Sequence, residues 1–364
     1  MSLHVELLSH VDQLTRDFCN QWQRLPQRSP MQSPAWLLAW WHAFAGEREQ
    51  LQMLSVYDDQ QLVGLAPWYL VGKRLRFLGD GIVCSDHADL AIAAGYADAV
   101  THEIAQWLTC HASQNWDFTQ FDAVDEGESP IVLMLRKLES NGFAVHQRPT
   151  TGCWHVDLPG TWEEYLAALS KNHRKRCRRW MRNYFECRRA AVTISSMDCV
   201  ESAWEEISEL NRQRREHIGD RSAFLDQRFL KFHRNVLPRL LEQGRAELRQ
   251  LRVDGEPVAA EYLLLDGTTM YCYQSGLRPV DSPDGYGNLS ILALFRDAIQ
   301  RGYSRIDFLR GDEDYKSHWG AKRTGCLQLS ASSKSLSGSI NLAMLKSGDW
   351  LREWKTTLVG KTEF

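Results

Sequence analysis

The sequence predicts an α/β protein, a mixed sheet flanked by helices, built in two tandem copies. Three observations predict it. Segments with helical apolar spacing alternate with short runs of β-branched and aromatic residues. The order helix, three-strand meander, helix, strand occurs twice. Val63-Gly64 of the first occurrence matches Val258-Ala259 of the second, and Phe121-Asp122 matches Ile306-Asp307. That spacing implies duplicated domains, not the short period of a solenoid.

The elements follow in order. "SPAWLLAWWHAF" has a proline just inside a serine cap and reads as a helix. "LQMLSVYDDQQLVGLAPWYLVGKRLRFLGDG" reads as three strands, turning at Asp58-Asp59 and Gly72-Lys73. "ADAVTHEIAQWLTCHA" is an amphipathic helix, and "DFTQFDAVDEG" a strand with its exit loop. In the second half, "DQRFLKFHRNVLPRLLEQG" is helical around Pro238. "AELRQLRVDGEPVAAEYLLLDGTTMYCYQSG" gives three strands joined at Asp254-Gly255 and Asp266-Gly267, both strong hairpin signals. "NLSILALFRDAIQRG" is a helix with Asn288 as N-cap and Gly302 as stop, and "YSRIDFLRGDE" is the last strand.

A chain of 364 residues is comfortable for two domains. The expected division is residues 1–150, residues 151–345 and a C-terminal tail, 346–364. The join is the polar Pro/Gly stretch Arg148-Pro149-Thr150-Thr151-Gly152, which suits a linker. Residues 1–150 hold 10 Lys+Arg against 18 Asp+Glu; residues 151–364 hold 33 against 28. The basic half is therefore the one expected to meet an anion. Nine cysteines without a CxxC argue against a disulfide scaffold or a zinc ribbon, and no metal site is expected. Reduced thiols and no signal-like or bilayer-length apolar segment point to a cytoplasmic protein without a transmembrane span. No GxSxG, HExxH or kinase set is present.

Four stretches can carry chemistry. The helix start "SPDGYGNLSILALF" places Gly285 and Gly287 where backbone N–H groups leave a helix N-terminus, a place suited to phosphate. It is neither GxGxxG nor a Walker motif, and a plain turn is the alternative. "KNHRKRCRRWMRNYFECRR" puts Arg174, Arg178 and Arg182 on one helical stripe and Cys177, Trp180, Met181 and Tyr184 on another. Nine cations against one glutamate repel unless an anion is near: cofactor phosphate, tRNA or a membrane surface. In "IDFLRGDEDYKSHWG", Asp307 and Leu309 are expected on one strand face, with Ile306, Phe308 and Arg310 on the other. Asp307 among apolar neighbours suits a general base, and equally suits a structural ion pair. Arg310, Tyr315, Lys316 and Trp319 follow as the makings of a pocket rim, with an Asp312–Lys316 surface pair and a packed Trp319 as the bland alternative. Glu261, inside "PVAAEYLLL", and the strand tyrosines Tyr271 and Tyr273 are further proton-relay candidates.

These residues resemble the GNAT-superfamily acyltransferases of the FemAB-like, CelD-type group. The signature is D-F-x-x-G-D followed by Y-K-x-x-W: Asp307, Phe308, Gly311, Asp312, Tyr315, Lys316 and Trp319. The resemblance implies acyl transfer from acyl-CoA (acetyl-CoA or longer) to an amine, in polysaccharide or cell-envelope biosynthesis. Aminoacyl-tRNA is the alternative donor, and a non-catalytic accessory protein of polysaccharide assembly the third reading. It implies cofactor binding at Gly285, Tyr286, Gly287, Asn288 and Leu289. It implies chemistry at Asp307, Glu261 and Tyr273, with the acceptor held by Arg310, Tyr315, Lys316 and Trp319. The first half has only Gly95 at the corresponding helix start, so one working site is expected, in the second half.

Overall fold

The structure is a computed structural model and describes residues 3–279 and 285–335, with Gly338, Ile340, Ala343 and Met344 beyond. The expected tail, 346–364, and Ser282-Pro283-Asp284 of the helix-start motif lie outside the described residues. The chain forms two compact units. One holds residues 1–37, 45–150 and 326–364; the other holds 38–44 and 151–325.

The first unit begins with β1 (Leu3–Leu8), α1 (Arg16–Arg24) and α2 (Pro34–Phe44), whose last seven residues belong to the second unit. Ser33 caps α2, its Oγ accepting from the Trp36 N–H at 3.3 Å. Then come β2 (Glu49–Leu51), β3 (Met53–Asp58), β4 (Gln61–Ala66), β5 (Trp68–Val71) and β6 (Arg74–Phe77). β7 (Ala91–Ile92), α3 (Ala97–His111), β8 (Phe118–Asp125), α4 (Pro130–Ser140) and β9 (Ala144–Asp157) follow. The expected three-strand meander is thus broken into shorter strands. β3 and β4 pair with β1 and β7, whereas β2, β5 and β6 line up beside β8. Pro67, with no N–H for a ladder, stands where the chain passes from β4 to β5. The turns at Asp59 (φ 53°) and Gly72 (φ 61°) fall where expected.

The second unit adds α5 (Trp162–Ala168), α6 (Lys171–Trp180) continued by a π-helical turn (Met181–Glu186), β10 (Ala190–Ile194), α7 (Val200–His217) and α8 (Gln227–Glu242). The meander β11 (Ala246–Val253), β12 (Glu256–Asp266) and β13 (Thr269–Leu277) is as expected. Asp254 and Gly255 both adopt positive φ at its first turn, the geometry a two-residue hairpin needs. After α9 (Tyr286–Gln300) come β14 (Arg305–Arg310), the short α10 (Tyr315–His318) and β15 (Lys322–Ser332). The strand order here is β10-β11-β12-β13-β14-β9, antiparallel except for the parallel pair β13–β14.

Residues 148–152 are not a loose linker: they lie inside the 14-residue strand β9. Gly152 is there because a Cβ would meet the Thr324 carbonyl oxygen at 2.6 Å. Asn288 is not the N-cap of α9. Gly285, at φ 68°, holds that place, and Asn288 is three residues in.

The duplication is written in the ladders. In β3–β4, Val56 faces Gly64 and Tyr57 faces Leu62, leaving Val63 as an extra residue. In β11–β12, Leu251 faces Ala259 and Arg252 faces Pro257, leaving Val258 extra. The residues matched by sequence thus carry the same bulge. β8 and β14 also both bulge just past an aspartate, with positive φ at Ala123 and Leu309.

Candidate active site

The parallel ladder between β13 and β14 pairs Thr269, Met270 and Tyr271 with Arg305, Ile306 and Asp307, and ends there. Both strands change register immediately afterwards. On β13, Cys272 faces Leu263 while Gln274 faces Tyr262, so Tyr273 is the extra residue. On β14, Asp307 faces His155 and Leu309 faces Trp154, so Phe308 is extra. Two neighbouring strands that stop pairing and bulge at the same level expose backbone groups between them.

The bulge on β14 corrects the expected alternation of faces: Ile306, Asp307, Phe308 and Leu309 are all buried. Leu309 sits at φ 58°, costly for a branched residue. Asp307 compensates, since its Oδ1 accepts the Leu309 N–H at 2.8 Å. The carboxylate is 5% exposed and close enough to Tyr271 to help burial push that phenol up.

Glu261 lies on the same side. Its Oε1 accepts from Ser290 Oγ at 2.9 Å, and Oε2 is 3.7 Å from Nε of Arg249. Burial raises its pKa, against the opposing pull of Arg249 and Ser290. The Cys272 thiol is pushed well up by burial, then by Glu261 and Asp307, so the three groups share one low-dielectric neighbourhood.

The start of α9 adjoins this end of β13. A Cβ on Gly287 would meet Leu277 Cδ1 at 3.2 Å, and the N-cap is Gly285, which has no side chain to cap with. Tyr286, Gly287 and Asn288 are half-buried and Leu289 is fully buried. First-turn N–H groups without a side-chain cap can take an anion.

The loop after β14 is built around two buried residues. Lys316, 2% exposed, donates through Nζ to the carbonyls of Gly311 (2.9 Å), Arg310 (3.3 Å) and Leu309 (3.5 Å), and pairs with Glu313 at 2.8 Å. Trp319 is fully enclosed: it stacks on Trp180, takes the edge of His173 at 4.7 Å and tilts on Phe295. The surface alternative for Lys316 is therefore replaced by an internal tether, since a buried ammonium must find acceptors. The acceptor-pocket wall expected of Trp319 is replaced by core packing. Asp312 pairs with Arg323 and takes the Trp154 N–H, both at 3.1 Å. Tyr315 remains 39% exposed, its ring edge-on to Phe308. Burial, then Cys272 and Glu313, raise its phenol, and Arg214 opposes them. Arg310 is half-buried.

The Tyr273 hydroxyl is placed elsewhere. It meets His233 Nε2 at 3.2 Å within an aromatic group that includes Tyr262 and Trp204. Burial keeps His233 neutral.

α6 and its π turn bury Cys177, Trp180, Met181 and Tyr184, as the stripe predicts, and His173 as well. On the other face Arg178 pairs with Glu163 at 3.1 Å, whereas Lys171, Arg174, Lys175, Arg176 and Arg182 have no carboxylate partner among the described residues. Sequence reading missed Arg249, Ser290, Cys272 and Arg214. Arg249 left a signal, a lone cation between Leu248 and Leu251 in a strand.

Residues 171–317 match the family described as acetyltransferase (GNAT) domain. That stretch of the second unit is by this match a GNAT-type acyltransferase domain. No curated protein matches the sequence. Among solved structures it is similar to FemX, with 12% identity, 90% of this chain and 96% of that one covered, and a TM-score of 0.61. A conserved protein of unknown function from Bacteroides thetaiotaomicron gives 11%, 91%, 100% and 0.55. L-PGS from Bacillus licheniformis gives 12%, 88%, 97% and 0.51. At such identities the likeness is one of fold. No helix among the described residues is long and apolar enough to cross a membrane.

Proposed function

We propose that the second unit moves an acyl group from acyl-CoA, acetyl-CoA or longer, to an amine acceptor of polysaccharide or cell-envelope assembly in the cytoplasm. The supporting observation is the end of the β13–β14 ladder at Tyr271 and Asp307, beside the start of α9 with glycine at its N-cap. In this reading residues Gly285 to Leu289 take the pyrophosphate, and the thioester lies between the separated strands. Backbone N–H groups around Tyr273 polarise its carbonyl. The amine nitrogen attacks that carbonyl carbon, the C–S bond breaks, and the thiolate leaves to become the free thiol. Asp307 or Glu261 takes the amine proton, directly or through water. Arg310 and Tyr315 face the acceptor, while Lys316 and Trp319 hold the loop that carries them. The first unit plays no part in cofactor binding: past its own ladder end Arg76 lies 2.6 Å from Asp80 and 3.6 Å from Asp122, filling that place with ion pairs.

Thermal unfolding with CoA, acetyl-CoA and a long-chain acyl-CoA tests this. A ligand at ~100 times its dissociation constant adds about 2.7 kcal/mol to the native state. The midpoint is expected to rise, and Gly287→Glu, which sets a carboxylate at the helix start, is expected to abolish the rise. No rise with any thioester removes the acyl-CoA donor. The unpartnered cations of α6 favour one second reading, an aminoacyl-tRNA donor; retention of tRNA at low salt that is lost in an Arg174, Arg178 and Arg182 to Glu triple variant would support it.

A further inference from the structure

Glu261 is one end of a run of alternating charges that crosses the second unit. Arg249 stands opposite it in the β11–β12 register and is 3% exposed. The guanidinium is divided: Nε lies 3.7 Å from Glu261, and Nη1 donates to Asp297 on α9 at 2.6 Å. Asp297 also accepts from Arg301 at 3.1 Å. Arg301 in turn makes a bidentate pair with Glu247, at 3.0 and 2.6 Å. Exposure rises along the run from Arg249 to about a third at Asp297 and Arg301.

Burying a guanidinium on a strand is expensive, and an apolar residue would pack there at less cost. The expense is intelligible if the charge is needed at Glu261. The groups facing that carboxylate are few. β11 supplies Arg249, α9 supplies Ser290 with Asp297 behind it, β13 supplies Cys272, and α10 supplies Tyr315. Asp307 and Lys316 act on the same neighbourhood through Cys272, and Lys316 is already committed to carbonyls and Glu313. Among the described residues, Arg249 is the cation within 4 Å of Glu261.

We propose that Arg249 is a positioning residue that holds the Glu261 carboxylate ionised and aimed beside Ser290, and that Asp297 sets the share of its charge reaching Glu261. The proposal rests on the reading of Glu261 as a group of the reacting centre. It makes a prediction that packing alone does not. Removing Arg249 and removing the charge of Asp297 must move the ionisation of Glu261 in opposite directions. Without Arg249 the buried carboxylate loses the cation that lies within 4 Å of it and binds its proton more tightly. Without the Asp297 charge the guanidinium turns wholly to Glu261, which then releases its proton more readily.

The test is a side-chain carboxyl NMR titration of the full chain with labelled glutamate, the Glu261 signal being assigned with Glu261→Gln. Arg249→Gln is expected to raise the Glu261 midpoint, and Asp297→Asn to lower it, each by roughly one unit. Ser290→Ala, which removes a donor to the carboxylate, should raise it by less. Shifts of the same sign, or none, would overturn the proposal. If Arg249→Gln does not fold, Asp297→Asn still decides, because an unchanged or raised midpoint sinks the idea. The acid limb of the acyl-transfer rate should move with the titration. Full transfer by Glu261→Gln would remove Glu261 from the chemistry while leaving the titration result standing, so the two failures are separable.

Discussion

Lys316 illustrates how one side chain can hold a functional loop. Its ammonium meets three consecutive backbone carbonyls, Leu309 to Gly311, at the point where β14 leaves the sheet. Lys316→Met keeps the length of the stem and removes every donor. It is expected to cost about 1–3 kcal/mol, the penalty for stranding buried carbonyls, and to be read as a lower midpoint in thermal unfolding. Glu313→Gln touches the partner at the exposed end and should stay within ~0.5 kcal/mol. Equal costs would show that the ion pair, not the carbonyl tether, holds the loop. His173 gives a pH counterpart. Burial, with Arg176 and His318 nearby, lowers its pKa to about 4. The folded protein therefore binds fewer protons there than the unfolded chain. Its contribution is fully present above pH ~6.5 and is lost as pH falls toward 4. Unfolding midpoints across that window should fall, and should fall less in His173→Phe. An identical slope in the variant would acquit His173.

At the scale of elements, α6 divides its work between faces. The buried face joins His173 and Trp180 to Trp319, and on the open face Lys171, Arg174, Lys175, Arg176 and Arg182 repel one another without a carboxylate partner among the described residues. Changing Arg174 and Arg182 to Glu relieves that repulsion, so the variant should be at least as stable as the parent while losing affinity for any polyanion. A large loss of stability would mean these arginines serve the fold. What the sequence could and could not announce follows from the same physics. Hairpins at Asp254-Gly255 and Asp266-Gly267 were legible because only a few residue types tolerate positive φ. The α6 stripe was legible because one face is wholly polar. The bulge at Phe308 was not, since a strand buried on both faces shows no alternation for a slip to interrupt. Lys316 was hidden because a cation in a charge-dense loop looks solvated until the carbonyls around it are placed. Asp307 and Glu261 could be picked out as carboxylates in apolar strands. Their company, Cys272, Ser290 and Arg249, comes from other elements, and no local pattern joins them.

At the scale of the molecule, the chain leaves the first unit and returns to it at neighbouring points. Arg148 donates to Gln328 at 2.7 Å within the first unit. Cys326 to Ser332 of β15 pair antiparallel with β8, and Leu329 and Ala331 are fully buried in that unit's core. A fragment ending at Thr150 therefore lacks a strand that covers the edge of β8 and two core side chains. It is expected to aggregate, or to keep far-UV without near-UV circular dichroism, because an uncovered apolar edge pairs with other copies. Joining Thr150 to Cys326 by a short Gly/Ser linker, and ending after Ser335, restores that strand without the second unit. Ends this close make such a deletion geometrically mild. With Trp40 and Phe44 changed to Gln, since the end of α2 belongs to the second unit, the joined chain should show a single cooperative transition. If the plain 1–150 fragment folds as well as the joined one, β15 is dispensable to the first unit. If neither folds, the first unit depends on the second for its stability.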